Sequence, residues 1–130
     1  MLTLYSCPKP FVDPHIRLIQ RNAIGSWLRL QPRPEILLLG DEPGVAETAA
    51  EFGLRHVGGL ATNEFGTPLV DSIFARGERE GSGNLLCYVN ADIVLFPDFA
   101  RVAEEVGARH RHFLVVGQRW DLDLATELDF

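Results

Sequence analysis

The residues best placed to do chemistry are Asn90 and Asp92, within the stretch LLCYVNADIVLF from Leu85 to Phe96. An apolar run ends at Asn90-Ala91-Asp92, and a second apolar run begins after it. A polar side chain at the end of a buried strand costs free energy unless it is paired. On an extended chain, an amide and a carboxylate two residues apart project to the same side. That arrangement suits gripping a cation or a polar ligand at the mouth of a sheet. Asp92 offers hard carboxylate oxygen to a divalent cation, and Asn90 offers a carbonyl or a contact to a ribose hydroxyl. The alternative role is local, with both side chains satisfying backbone donors of their own loop.

Other polar residues follow apolar runs in the same way. Asp41 comes directly after Ile36–Gly40 and could accept hydrogen bonds from a base or ribose. It could also cap the helix containing Pro43, and the two roles are compatible. The stretch Asn63-Glu64-Phe65-Gly66-Thr67-Pro68 leads into a helix, whose first N–H groups favour an anion such as a diphosphate. The alternative is a turn closed by a Thr67 N-cap. Asp71, one turn further on, stands where an acid often serves only as a dipole partner. Lys9 is the one lysine, set between two prolines. It could neutralise a phosphate or sit in a rigid solvated turn. Arg17 and Arg21 flank an apolar stripe, where arginines are usually solvated. In Arg119-Trp120-Asp121-Leu122-Asp123, two carboxylates at period two could meet an acceptor or a metal. The alternative is an exposed strand with Leu122 and Leu124 inward. His15, His56, His110 and His112 lack zinc spacing, and no G-x-S-x-G, P-loop or G-x-G-x-x-G pattern occurs. No catalytic residue is assigned.

These residues need elements to position them. Leu2–Ser6 predicts a strand, closed by Cys7-Pro8-Lys9-Pro10. Asp13-Pro14 predicts a helix start, with Ile16, Ile19, Ala23, Ile24, Trp27 and Leu28 at helical spacing. Pro32 and Pro34 end it. Ile36–Gly40 is a short apolar run, the pattern of a strand covered on both faces. A helix over Val45–Phe52 follows, with Gly53 as C-cap. Then come a weak strand, Arg55–Val57, and a helix opened by Thr67-Pro68 and running to about Arg79. Leu85–Val89 predicts a strand, Pro97-Asp98 a helix to Ala108, and Phe113–Gly117 a fifth, buried strand. The alternation implies an α/β chain: a Rossmann-like open, mostly parallel sheet with helices on both faces. Ligands of such sheets bind beyond the carboxyl ends of the strands.

The chain has 130 residues, 46% of them hydrophobic, enough for one domain with a real core. Its net charge of -6 comes without a basic run, which argues against nucleic acid or an anionic membrane as partner. Eleven of the twelve basic residues are Arg, a bias of composition. Cys7 and Cys87 lie in apolar segments without metal spacing, so buried, reduced thiols are expected. Neither a signal peptide nor a membrane span is expected, and the cytoplasm is the expected compartment.

Taken in order, PKPF, HIRLIQRNAIGSWLRL, EILLLGDE, NEFGTPLVDSIF, LLCYVNADIVLFPDF and FLVVGQRWDLDL resemble the nucleotide-diphospho-sugar transferase superfamily, with the glycosyltransferase A-type fold. The likeness covers nearly the whole chain. More specifically, the chain resembles glycosyltransferase-like proteins carrying Y-V-N-A-D-I and G-x-R-W-D-L-D segments. The resemblance implies that Asn90-Ala91-Asp92 stands at the family's D-x-D-type position, with Asn90 where Asp is common. Asp92 would then be the ligand of a divalent metal, Mn²⁺ or Mg²⁺, that bridges the donor diphosphate. It implies a nucleobase contact for Asp41 and nucleotide contacts for Asn63, Gly66, Asp71 and Asn90. Lys9 would lie near the base and ribose. Arg119, Asp121 and Asp123 are the candidate acceptor-side residues. The implied activity is transfer of a sugar from a nucleotide-diphosphate sugar to an acceptor that the sequence does not identify. The chain ends soon after its last expected strand, so residues 1–130 are expected to form a single donor-binding domain without a full acceptor-binding half. A non-catalytic binding domain, a homo-oligomer that buries a sheet edge, and a sugar nucleotidyltransferase are the rival readings.

Overall fold

A computed structural model describes residues 1–130. The element order is β1 (Leu2–Ser6), α1 (Pro14–Trp27), β2 (Glu35–Leu39), α2 (Val45–Phe52), β3 (Arg55–Val57), α3 (Val70–Glu80), β4 (Leu85–Tyr88) and α4 (Asp98–Arg109). The four strands form one all-parallel sheet in the order β3-β2-β1-β4. Each strand is joined to the next through a helix, as parallel pairing demands. The order matches the first four positions of a Rossmann-like sheet. It reverses direction at β1, which pairs with β2 on one side and β4 on the other.

Alternation along the strands sorts the core into two layers. Leu2, Leu4, Ile36 and Leu38 face one side, packed with Ala23, Ile24 and Trp27 of α1, Val45 and Ala49 of α2, and Ala100 of α4. Tyr5, Leu37, Leu39 and Val57 face the other, where they meet Ile73 of α3. Helices thus cover both faces, three on one and one on the other. The apolar run of β2 is buried on both sides, as its composition requires. At the start of α1, Asp13 Oδ1 accepts the N–H groups of His15 and Ile16, with Pro14 in the first turn. Gly53 ends α2 at φ 66, a left-handed conformation that costs glycine least. No helix is long and apolar enough to cross a membrane.

Four expectations are corrected. Phe113–Gly117 forms no fifth strand: no backbone–backbone hydrogen bond involves residues 111–130, and Leu114 is 87% exposed. An apolar run makes a strand only when a neighbouring edge takes up its N–H and C=O groups. Leu122 is likewise exposed rather than inward. Helix α3 begins at Val70, not Thr67, because Thr62 and Pro68 form a β-bridge and Asn63 Oδ1 accepts the Thr67 N–H. Lastly, Asn90–Asp92 is a turn rather than extended chain, closed by the Ile93 N–H donating to Asn90 O.

Candidate functional site

The loops that follow the strands gather at the carboxyl end of the sheet, around a cleft of about 250 Å³. Cys7–Pro10 after β1, Glu42 after β2, Thr67 and Pro68 before α3, and Tyr88 at the end of β4 contribute to its walls. This is the topological switch point, where open α/β sheets bind ligands. A larger hollow of about 360 Å³, between Gly25, Leu28, Arg33 and Phe130, lies against the carboxyl-terminal parts of α1 and α2. Those helices run antiparallel to the strands, so it sits at the other end of the sheet. The smaller cleft is the candidate site on that ground.

Buried polar groups of α1 hold the cleft loops. The side chain of Gln20, 2% exposed, brackets Lys9: its Oε1 accepts the Lys9 N–H at 2.7 Å and its Nε2 donates to Lys9 O at 3.0 Å. The Trp27 indole N–H donates to Ile93 O at 2.9 Å, and Ser26 Oγ accepts the Leu95 N–H at 3.0 Å. The loop carrying Asn90 and Asp92 is thereby pinned to the helix. The Phe11 N–H donates to Pro43 O at 2.8 Å, linking the first two loops. Gly44, at φ 87, lies against the Phe11 side chain, where a Cβ would collide. The roles of Gln20, Trp27 and Ser26 were not evident from the sequence. Their signal was polar atoms set on the apolar stripe of an amphipathic helix.

The sequence-derived residues divide by what they touch. Lys9, Asn90 and Asp92 are exposed at this end, and none of their side chains has a hydrogen-bond partner in the protein. Asp41 does not cap α2, whose N-cap is Gly44. Its Oδ2 accepts the Gly59 N–H at 2.7 Å, and His56 Nε2 lies 3.9 Å from its Oδ1. Asn63 Oδ1 accepts the N–H groups of Phe65 and Thr67, and Gly66 completes that turn at φ 78. Asp71 Oδ1 accepts the Ser72 N–H, so a carboxylate already stands at the start of α3. Arg21 forms a two-pronged ion pair with Glu51 and lies 5.0 Å from the Phe52 ring centre, a structural role. Arg119 and Asp121 pair with each other at 3.3 Å on the exposed chain after α4, where Asp123 is exposed too. None of those three bonds to a cleft residue.

Burial, then the nearby Glu42 carboxylate, raises the Cys7 thiol to about 11. It stays protonated at neutral pH and is a poor nucleophile. Tyr88 is also raised, by burial first and then in part by the Asp92 carboxylate, so its hydroxyl remains a proton donor. Tyr88 belongs to an aromatic cluster, 5.7 Å from Tyr5 and 5.3 Å from Phe74 between ring centres. No three His, Cys, Asp or Glu side chains come together to hold a metal by themselves. A cation held at Asp92 and Asn90 would have to complete its shell with ligand oxygens and water, as Mg²⁺ commonly does.

The fold and cleft define an open, all-parallel α/β domain with its candidate site at the switch point. Among known proteins, no family model matches the chain and no curated relative does.

Proposed function

We propose that the chain is a nucleotide-diphospho-sugar-binding domain of the glycosyltransferase A type. It takes its donor in the β1/β4 cleft and passes the sugar to an acceptor hydroxyl. The observation that carries this reading is the Asn90-Ala91-Asp92 turn, pinned at the switch point with both side chains free. Charge supports it as well. Lys9 is the one cation among the cleft walls, while Glu42 lines the cleft and the Asp92 charge helps raise the Tyr88 hydroxyl. A bare diphosphate would be repelled there, whereas a diphosphate carrying a divalent cation would not. Asp92, with the Asn90 carbonyl, would hold that cation.

A cation held by Asp92 and the Asn90 carbonyl would supply charge neutralisation for the departing diphosphate. The chain's own residues do the rest. Lys9 adds positive charge beside the phosphates, the aromatic face of Tyr88 offers a surface for a base or sugar ring, and the Tyr88 hydroxyl donates. Protonated Cys7 is a poor nucleophile, and the acceptor hydroxyl would displace the diphosphate at the anomeric carbon. An inverting reaction then needs a carboxylate base within hydrogen-bond reach of that hydroxyl. Asp121 and Asp123 are the late acids for that role.

A second reading, nucleotide-sugar binding without transfer, is favoured by one observation: Asp121 pairs with Arg119 away from the cleft. Product analysis separates the two, since only a transferase or hydrolase releases free nucleoside diphosphate.

The test is thermal unfolding with titration calorimetry on wild type and Asp92→Ala, using UDP, GDP, dTDP and CMP and their sugars, with and without Mn²⁺. One nucleotide is expected to stabilise wild type only with metal, by about 3 kcal/mol at a hundredfold excess over its Kd. Asp92→Ala should lose that gain. Identical behaviour of the two proteins would make Asp92 a structural loop acid.

A further inference from the structure

The sheet has two edges of unlike character. At β3 the edge is three residues long and guarded by Arg55, which bonds to Glu35 and Glu80. At β4 the edge is Leu85-Leu86-Cys87-Tyr88, without a charge or proline to discourage pairing. Open apolar edges of that kind recruit another strand. Apolar side chains stand exposed on both faces beside it: Leu86 and Phe74 on the α3 side, Val102 on the α4 side.

The same chain carries a segment with the matching character. Phe113-Leu114-Val115-Val116-Gly117 is an uncharged, apolar run rich in valine, the composition of a strand covered on both faces. It lies uncovered, with Leu114 87% and Val116 82% exposed. Beyond it, the Asn22 side chain holds Thr126 O and the Leu128 N–H against α1. Residues 110–125 thus form an arm tethered at α4 and at α1, and in its own chain the arm leaves β4 unpaired.

We propose that β4 is a docking edge for a second copy of this chain, and that Phe113–Gly117 of each copy adds to it as a fifth, parallel strand. Each copy supplies one arm and one edge, so the exchange closes as a twofold dimer. The exposed apolar side chains of arm and rim, counted in both copies and including Trp120, offer on the order of 2,000 Å² for burial. That meets the area of a stable interface. The inference is independent of nucleotide binding.

Sedimentation equilibrium and amide hydrogen exchange on the full chain test it. Wild type should sediment at twice the chain mass, and the amides of Leu114–Val116 should gain protection as concentration rises through the dimer range. Val115→Lys changes a side chain that is 62% exposed in the single chain. It should weaken dimerisation at least a hundredfold while leaving the far-UV circular dichroism unchanged. A monomer at every concentration overturns the proposal. So does protection that ignores concentration, which would mean the arm adds to its own β4. So too does a dimer whose arm amides exchange freely. The exchange experiment needs only wild type, so it decides the matter even where Val115→Lys fails to fold.

Discussion

Gln20 shows how one buried amide can set the shape of a cleft. Its oxygen and nitrogen take both backbone groups of Lys9, in a part-buried pair of hydrogen bonds. Removing one partner of such a pair costs about 1–3 kcal/mol, because the group left behind is desolvated and unsatisfied. Gln20→Ala should lower stability by about that amount in urea unfolding. A loss under about 0.5 kcal/mol, the size of a surface substitution, would mean that water replaces the amide. The candidate residues differ for the same reason. Lys9, Asn90 and Asp92 have exposed side chains that bond to nothing in the protein. Asn63, Asp41 and Asp71 have oxygens committed to their own loops. Sequence alone gave these groups one appearance, polar residues after apolar runs. Which N–H each oxygen meets depends on the paths of loops far away in the chain.

At the scale of elements, α3 reaches the sheet through Gly77. A Cβ there would collide with the edge of the Tyr5 ring. Tyr5 is 3% exposed and walled by Phe74 and Tyr88, so its ring has little room to move. Gly77→Ala gains about 1 kcal/mol of helix propensity. Overpacking in a filled core costs about 1–3 kcal/mol. The variant should therefore be destabilised by up to about 2 kcal/mol in chemical denaturation; a stabilised variant would show that α3 can lift away. Helices α1 and α2 were legible in the sequence because Asp13-Pro14 and Gly53 mark their ends by local chemistry. The start of α3 was not. Thr67 has the right type for an N-cap, but the Thr62–Pro68 bridge and the Asn63 turn take that stretch first.

On the scale of the whole molecule, Glu35 ties together the amino end of the sheet. Its carboxylate accepts from the Thr3 hydroxyl, from the N–H and hydroxyl of Ser82, and from Arg55. Burial by itself would raise its pKa. The hydrogen bonds from Ser82, Thr3 and Arg55 outweigh burial and bring it down to about 2, from an ordinary 4.5. A depressed folded pKa stabilises the protein above the unfolded value and ceases to do so as pH falls through the folded one. The contribution, on the order of 2 kcal/mol after allowance for its place at the solvent rim, should be complete above about pH 4.5 and vanish toward pH 2. Glu35→Gln should therefore be less stable than wild type at about pH 7, with the gap closing in acid. Denaturation series from about pH 2 to about pH 7 check this; a gap independent of pH would assign the loss to packing.

By itself the sequence determined the α/β alternation, the four strands of the sheet, the start of α1, the bounds of α2, and the loops that bear Lys9 and Asp92. Each follows from local periodicity and from caps that act within a few residues. Tertiary structure alone decided the strand order, the grip of Gln20 and Trp27 on the cleft loops, and the fate of Phe113–Gly117. Those depend on which groups meet across long separations in the chain. An apolar run carries the composition of a strand, but it becomes one only where an unpaired edge accepts its backbone hydrogen bonds.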